Sequence, residues 1–187
     1  MSVFPQAPHF LIFARPRSRT AWLANFLTYG DTFCLHEPMA DHQTFDELGR
    51  RLQLSFGADV ERVGFVDTSL IHRPQDALDA FPRAHVLFLA SSPAGFRRFA
   101  IKHKLAPELV ELVNRDYDRA WAHLVGRATF LDAEGITLHA ATARQAWNLT
   151  TGTGKPFPME RWRALRGLNV QVEHGDLAAR IRRMASR

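Results

Sequence analysis

His9-Phe10-Leu11-Ile12-Phe13-Ala14-Arg15-Pro16-Arg17-Ser18-Arg19-Thr20-Ala21-Trp22-Leu23 is the stretch on which the fold turns. Phe10 to Ala14 is an unbroken apolar run, too short to span a membrane as a helix and suited to a strand buried on both faces. It stops at a basic turn containing a proline, and Trp22, Leu23, Phe26 and Leu27 then recur at helical spacing. The pattern is strand, loop, helix, with the helix expected from Thr20 to Tyr29 and Gly30 as its cap. A turn that feeds a helix N-terminus aims backbone N–H groups and the positive end of the helix dipole at one spot, which suits an anion. Arg15, Arg17 and Arg19 bring charge to this loop, and Ser18 and Thr20 bring hydroxyl donors. The G-x-x-x-x-G-K-[ST] pattern of ATP-type phosphate loops is absent, with neither its glycines nor its lysine in place. The loop therefore predicts a phosphate or sulfate ligand without the usual signature of magnesium-dependent phosphoryl transfer.

Downstream, Thr32 to Leu35 reads as a short second strand, followed by a loop holding His36-Glu37-Pro38. Thr44-Phe45-Asp46-Glu47 has capping-box spacing and opens a helix to about Leu54. Val63 to Val66 reads as a buried strand ending in Asp67-Thr68-Ser69, and Pro74 to Phe81 as a short helix. His85 to Ala90 is the clearest strand, and Ser91-Ser92-Pro93 leads from it into a helix bearing Arg97 and Arg98. Leu109, Leu112, Val113, Tyr117, Ala120, Trp121 and Leu124 mark one apolar face of a long helix. Shorter helices are expected over 138–150, 158–166 and 176–186, with Val170-Gln171-Val172 as a last strand. Trp121, Trp147 and Trp162 fit helical apolar faces and are expected in the core. Gly152-Thr153-Gly154-Lys155-Pro156 has no strand before it and reads as a turn.

The alternation predicts a three-layer α/β fold, a mainly parallel sheet flanked by helices, with a mostly helical C-terminal part. No internal repeat, low-complexity tract or linker interrupts the 187 residues, which are expected to form a single domain over 1–187. In open sheets of this kind ligands sit at the C-terminal strand ends. That gathers residues 15–20, 36–38, 67–69 and 91–98 around one crevice.

Composition sets the remaining bounds. Hydrophobic residues make up 46% and charged residues 23%, which is globular rather than disordered usage. One cysteine, Cys34, leaves no partner for an intramolecular disulfide. The first residues show neither a basic n-region nor a long apolar run, so a soluble cytoplasmic protein is expected. The net charge is +5, and only Lys102, Lys104 and Lys155 among the 24 basic residues are lysine. Arginine's planar fork grips oxyanions through two hydrogen bonds, although a general arginine bias in the coding sequence explains the same composition. The arginines are dispersed and no nucleic-acid-binding motif is present, so nucleic acid is not an expected partner. None of the nine histidines forms an H-x-x-x-H or H-E-x-x-H arrangement, and no metal is expected.

Pro16-Arg17-Ser18-Arg19-Thr20-Ala21-Trp22-Leu23 resembles the 5′-phosphosulfate loop of the sulfotransferases, P-[KR]-S-G-T-T-W-L, with Arg19 in place of the glycine and Ala21 in place of the second threonine. His36-Glu37-Pro38 is similar to the Glu-Pro that follows the first helix in carbohydrate-type members. Residues 64–93 resemble the family's second conserved block, which ends in a strand followed by R-[DN]-P. Trp147 and the stretch from Pro156-Phe157 to Asn169-Val170 resemble phage-encoded sulfotransferase-like proteins. The resemblance implies a P-loop-like fold and 3′-phosphoadenosine-5′-phosphosulfate as donor co-substrate, without a metal. It also implies a donor site built from Arg15, Arg17, Ser18, Arg19, Thr20, Ala21 and Trp22. Ser91 stands where the family has the arginine that grips the 3′-phosphate, and Phe99 aligns near the serine that binds the same group. Arg97 or Arg98 is then expected to supply the missing charge.

Sulfuryl transfer needs cations and N–H donors around the moving group and a base for the acceptor hydroxyl. Arg17 and the 18–20 backbone fit the first need. For the second, Glu37 is favoured and His36 is the alternative. Asp67 either orients an acceptor or water, caps a turn, or pairs with Arg17. Three functions stay open: a sulfotransferase-like enzyme acting on a hydroxyl of a small molecule or glycan, a nucleotide- or phosphate-handling transferase, and a non-catalytic anion-binding protein.

Overall fold

All five residues of the first strand, β1 (Phe10–Ala14), are fully buried, because this strand occupies the centre of a five-stranded parallel sheet. The computed structural model describes residues 8–40, 44–55, 60–152 and 154–168. Strands β2 (Thr32–His36), β3 (Arg62–Asp67), β4 (His85–Ala90) and β5 (Thr129–Asp132) complete the sheet in the order β2-β3-β1-β4-β5. Every pairing is parallel, with Phe10 opposite both Gly64 of β3 and His85 of β4.

Side chains alternate across the pleat, and β1 divides them between two cores. Leu11 and Phe13 face one cluster, built with α2 (Phe45–Ser55), α3 (Pro74–Ala80), α4 (Pro93–Lys102) and α5 (Pro107–Leu124). Phe10, Ile12 and Ala14 face the other, built with α1 (Thr20–Leu27), α6 (Gly135–Leu138), α7 (Ala140–Thr151) and α8 (Met159–Leu165). The result is the expected three-layer α/β fold, and beyond β5 the described chain is helical.

Several local expectations change. Helix α1 stops at Leu27, and Gly30 does not cap it: with φ +61° it sits in a turn closed by reciprocal backbone bonds between Tyr29 and Thr32 of 3.0 and 3.2 Å. Strand β5 was not expected; it has four residues of which only Leu131 is buried, so it shows no apolar run. Trp147 and Trp162 are core residues at 3% and 4% exposure, but Trp121 is 38% exposed at the rim of α5. The strand expected at 170–172 and the helix at 176–186 lie outside the described residues. Among the described residues no helix is long and apolar enough to cross a membrane.

What positions the site is a reversal of direction at β1. The chain leaves β1 for α1 on one face, whereas the loop after β4 leads to α4 on the opposite face. Neighbouring parallel strands whose loops diverge leave a crevice at their C-terminal ends. A 3-10 turn at Thr68–His72 follows β3 and is tied to α5 by His72 Nδ1, 2.7 Å from Asp116 Oδ2 with both side chains buried.

Candidate functional site

The turn between β1 and α1 is wound tightly. Arg17 (φ +73°) and Arg19 (φ +61°) both adopt the left-handed conformation, at about 1–2 kcal/mol for each residue bearing a Cβ. Ser18 N–H donates to the Arg15 carbonyl at 3.2 Å. No side chain caps α1, and its first turn has no acidic residue, so the positive helix end is not neutralised locally. Ser18 Oγ donates to Ser91 Oγ at 2.7 Å, which ties the loop to the end of β4.

A hollow of about 610 Å³ opens between this turn, α4 and α6. Arg17, Ser18 and Arg19 form one wall; Ser91, Phe96, Arg98, Phe99, Lys102 and His103 form another; Glu134 and Thr137 complete it. Four cations thus meet a single carboxylate, a balance suited to a multiply charged anion. The Arg17 guanidinium lies 5.1 Å from the centre of the Phe99 ring, which also stacks with the His103 ring at a separation of 4.2 Å. Lys102, His103, Glu134 and Thr137 were not anticipated. Arg98 and Lys102, four residues apart on α4, already shared a helix face in the sequence.

The second part of the site follows β2. Glu37 is buried at 9% exposure and has φ +50°. Its N–H donates to the Val66 carbonyl at 2.8 Å, and Oε1 accepts from Thr68 Oγ1 at 3.2 Å. His36 Nε2 lies 3.8 Å from Glu37 Oε1 and is hydrogen-bonded to Thr20 Oγ1 at 3.1 Å. Thr20, His36 and Glu37 therefore form a row of polar groups leading from the turn to the carboxylate, with a hydrogen bond between the first two and a 3.8 Å separation between the last two. Beneath it, Asp67 is fully buried: Oδ2 accepts from Met39 N–H at 2.8 Å, and Oδ1 accepts from Ser69 N–H at 2.8 Å and Ser69 Oγ at 2.7 Å. Burial, with the charge of Glu37 adding to it, pushes the Asp67 carboxyl up to about 6 despite these bonds. Asp67 is thus the turn cap and the anchor of the Glu37 loop.

The structure brings Arg17, Ser18, Arg19, Ser91 and Arg98 to the hollow, and Thr20, His36 and Glu37 beside the turn. It separates others. The indole of Trp22 turns into the core, stacks on Phe26 and donates to the Leu165 carbonyl at 2.9 Å, leaving its backbone N–H as the group near the loop. Ala21 is half-buried in the first turn of α1. Arg15 and Arg97 line a different hollow, behind Ser91. Among the described residues, no group of three or more histidine, cysteine, aspartate or glutamate side chains is arranged to hold a metal ion.

Five parallel strands in the order β2-β3-β1-β4-β5, a tight basic turn after β1 and helices on both faces form a fold similar to that of a solved sulfotransferase. One such likeness is to the crystal structure of a sulfotransferase from Alicyclobacillus acidocaldarius, with a TM-score of 0.54 and 14% identity over 96% of each chain. At that identity the likeness is one of fold. The chain matches no protein-family profile and no curated protein sequence.

Proposed function

We propose that the protein transfers a sulfuryl group from 3′-phosphoadenosine-5′-phosphosulfate to a hydroxyl of a small molecule or glycan. The observation that carries this reading is the row of polar groups Thr20, His36 and Glu37, which leads from an uncapped, cation-lined anion loop to a buried carboxylate. Arg17, Arg19 and the N–H groups at the start of α1 would hold the phosphosulfate and stabilise charge on the equatorial oxygens of the moving group. Glu37 would take the acceptor proton as the hydroxyl oxygen bonds to sulfur. The bond from sulfur to the bridging oxygen then breaks, releasing a sulfate ester and the nucleoside 3′,5′-bisphosphate. The hollow's volume falls within the range of ligand sites. Arg98 and Lys102 supply positive charge in it where Ser91 replaces the strand-end arginine.

Ser91 also supports a second reading, an anion-binding protein without turnover. Calorimetric titration with 3′-phosphoadenosine-5′-phosphate, beside ATP with and without magnesium, addresses the donor. Micromolar binding of the bisphosphate, about −8 kcal/mol, with ATP much weaker, is expected. Comparable or tighter ATP binding that requires magnesium would favour phosphoryl chemistry instead. Glu37→Gln is expected to lower turnover by about 10²–10⁴-fold with bisphosphate binding retained. A Glu37→Gln protein that sulfurylates at the native rate removes Glu37 from the role of base.

A further inference from the structure

Glu37 and Thr68 stand 31 residues apart and meet because β2 and β3 are parallel neighbours that end level with each other. His36, the last residue of β2, pairs with Val66 of β3, and the Glu37 N–H extends that ladder onto the Val66 carbonyl. This register sets Glu37 beside the turn Asp67-Thr68-Ser69. Thr68 opens the 3-10 turn that Asp67 caps and is 2% exposed. Its Oγ1 donates to Glu37 Oε1 at 3.2 Å, a contact buried on both sides.

The backbone around Glu37 is held at three points. Its N–H is on Val66, its carbonyl accepts the Ala40 N–H at 3.1 Å, and the next N–H but one, that of Met39, is held by Asp67 Oδ2. At φ +50° Glu37 occupies the region that glycine enters without cost and residues bearing a Cβ avoid. A turn that needed only this shape would be served by glycine. A buried acid kept there against the strain marks a side chain that is itself required. The backbone bonds fix where the Glu37 chain begins, but they do not fix the rotation of a carboxylate at the far end of a long side chain. The Thr68 hydroxyl does.

That hydroxyl also bears on the charge of Glu37. From β2, His36 Nε2 lies 3.8 Å from the same Oε1, and from the end of β3 the carboxylate of Asp67 opposes a second negative charge nearby. Burial and Asp67 both disfavour an ionised Glu37, whereas an O–H donated to the carboxylate favours it. We infer that Thr68 is a positioning residue for Glu37, its hydroxyl fixing the rotation of the carboxylate and holding it ionised for its part as base. This role rests on the proposed function, because it requires Glu37 to be the group that takes the acceptor's proton.

The test compares Thr68→Val, which removes the hydroxyl at nearly constant shape, with Thr68→Ser, which keeps it. In protein isotopically labelled at the glutamate side-chain carboxyl, the Glu37 resonance is the one missing from Glu37→Gln. Its titration midpoint is expected to rise by about one pH unit in Thr68→Val and to stay near the native value in Thr68→Ser. Turnover is followed as release of 3′-phosphoadenosine-5′-phosphate from the donor with 4-nitrophenol as acceptor. In Thr68→Val, kcat is expected to fall by about tenfold with KM for the donor unchanged, and the acid limb of its pH profile to move up with the midpoint. Thr68→Ser should restore both. An unmoved Glu37 midpoint in Thr68→Val overturns the inference, and so does a Thr68→Ser protein as impaired as Thr68→Val, since the residue would then matter for shape alone. Native turnover in Thr68→Val, with Glu37→Gln impaired, removes the role of Thr68 and leaves the base in place. Native turnover in Glu37→Gln refutes the base itself and this role with it.

Discussion

Asp67 is where one side chain's chemistry most affects the whole site. Its carboxyl is displaced from an ordinary 3.8 to about 6, chiefly by burial and secondarily by the charge of Glu37. The folded state therefore keeps this proton at pH values where the unfolded chain has released it. Between about pH 4 and pH 6 folding binds a proton, so Asp67's contribution to stability falls as pH rises through that window, by on the order of 2–3 kcal/mol. Asparagine keeps the shape and loses the titration, at the expense of one accepted hydrogen bond. Urea unfolding of Asp67→Asn and the native chain at pH 4.5 and 7.5 checks this. The variant should be the weaker protein at pH 4.5 and recover ground at pH 7.5; an equal gap at both would show that Asp67 does not titrate in this window. Arg19 makes a second residue-scale case. Its left-handed φ costs about 1–2 kcal/mol, whereas glycine adopts it freely and gives back about 0.5–1 kcal/mol in unfolded-chain entropy. Arg19→Gly should leave thermal stability equal or slightly raised while weakening bisphosphate binding, which separates the loop's conformation from its charge. A clear fall in melting temperature would mean that the arginine side chain, and not the ligand, holds the loop in shape.

At the scale of elements, β1 and β3 depend on one close approach. A Cβ on Gly64 would lie 2.3–2.4 Å from ring carbons of Phe10, its register partner, and Phe10 has no exposed surface. Gly64→Ala should therefore cost about 1–3 kcal/mol by overpacking, read as a drop in the urea midpoint. Phe10→Leu should restore part of that loss in the double variant, whereas purely additive losses would place the strain elsewhere. The same scale shows what the sequence could disclose. β1, β3 and β4 are buried on both faces and so appear as apolar runs, and the Thr44–Glu47 capping box is present with both reciprocal bonds at 3.2 Å. β5 lies at the sheet edge with one buried residue, so burial left no pattern to read. The tight basic turn between β1 and α1 was legible because its residues are contiguous in the chain. Lys102, His103 and Glu134 were not, because their place in the hollow depends on how α4 and α6 pack. Trp121 fits α5's apolar periodicity, yet the helix edge leaves it open to solvent, and periodicity does not reveal where a buried face ends.

For the whole molecule the question is how firmly the two faces of the sheet are joined at the crevice. α1 belongs to one core and α4 to the other, and their charged residues converge on a hollow with four cations and one carboxylate. Without an anion, like charges from two separate layers face each other, with Arg17 and Arg19 exposed on the loop and Arg98 exposed on α4. A ligand bridging loop and helix should therefore stabilise both layers together. At one hundred times its dissociation constant it contributes about 2.7 kcal/mol, and in a chain of this size each kcal/mol raises the melting temperature by about 2–4 °C. Saturating 3′-phosphoadenosine-5′-phosphate should therefore raise the single unfolding transition by about 5–10 °C. Sodium chloride at matched ionic strength should give much less, because screening lowers repulsion without bridging the layers. Arg98→Ala and Arg17→Ala should each reduce the ligand's shift, one acting from each layer. If Arg17→Ala reduced the shift and Arg98→Ala did not, the ligand would be held by the loop alone, with no contribution from the charge on α4.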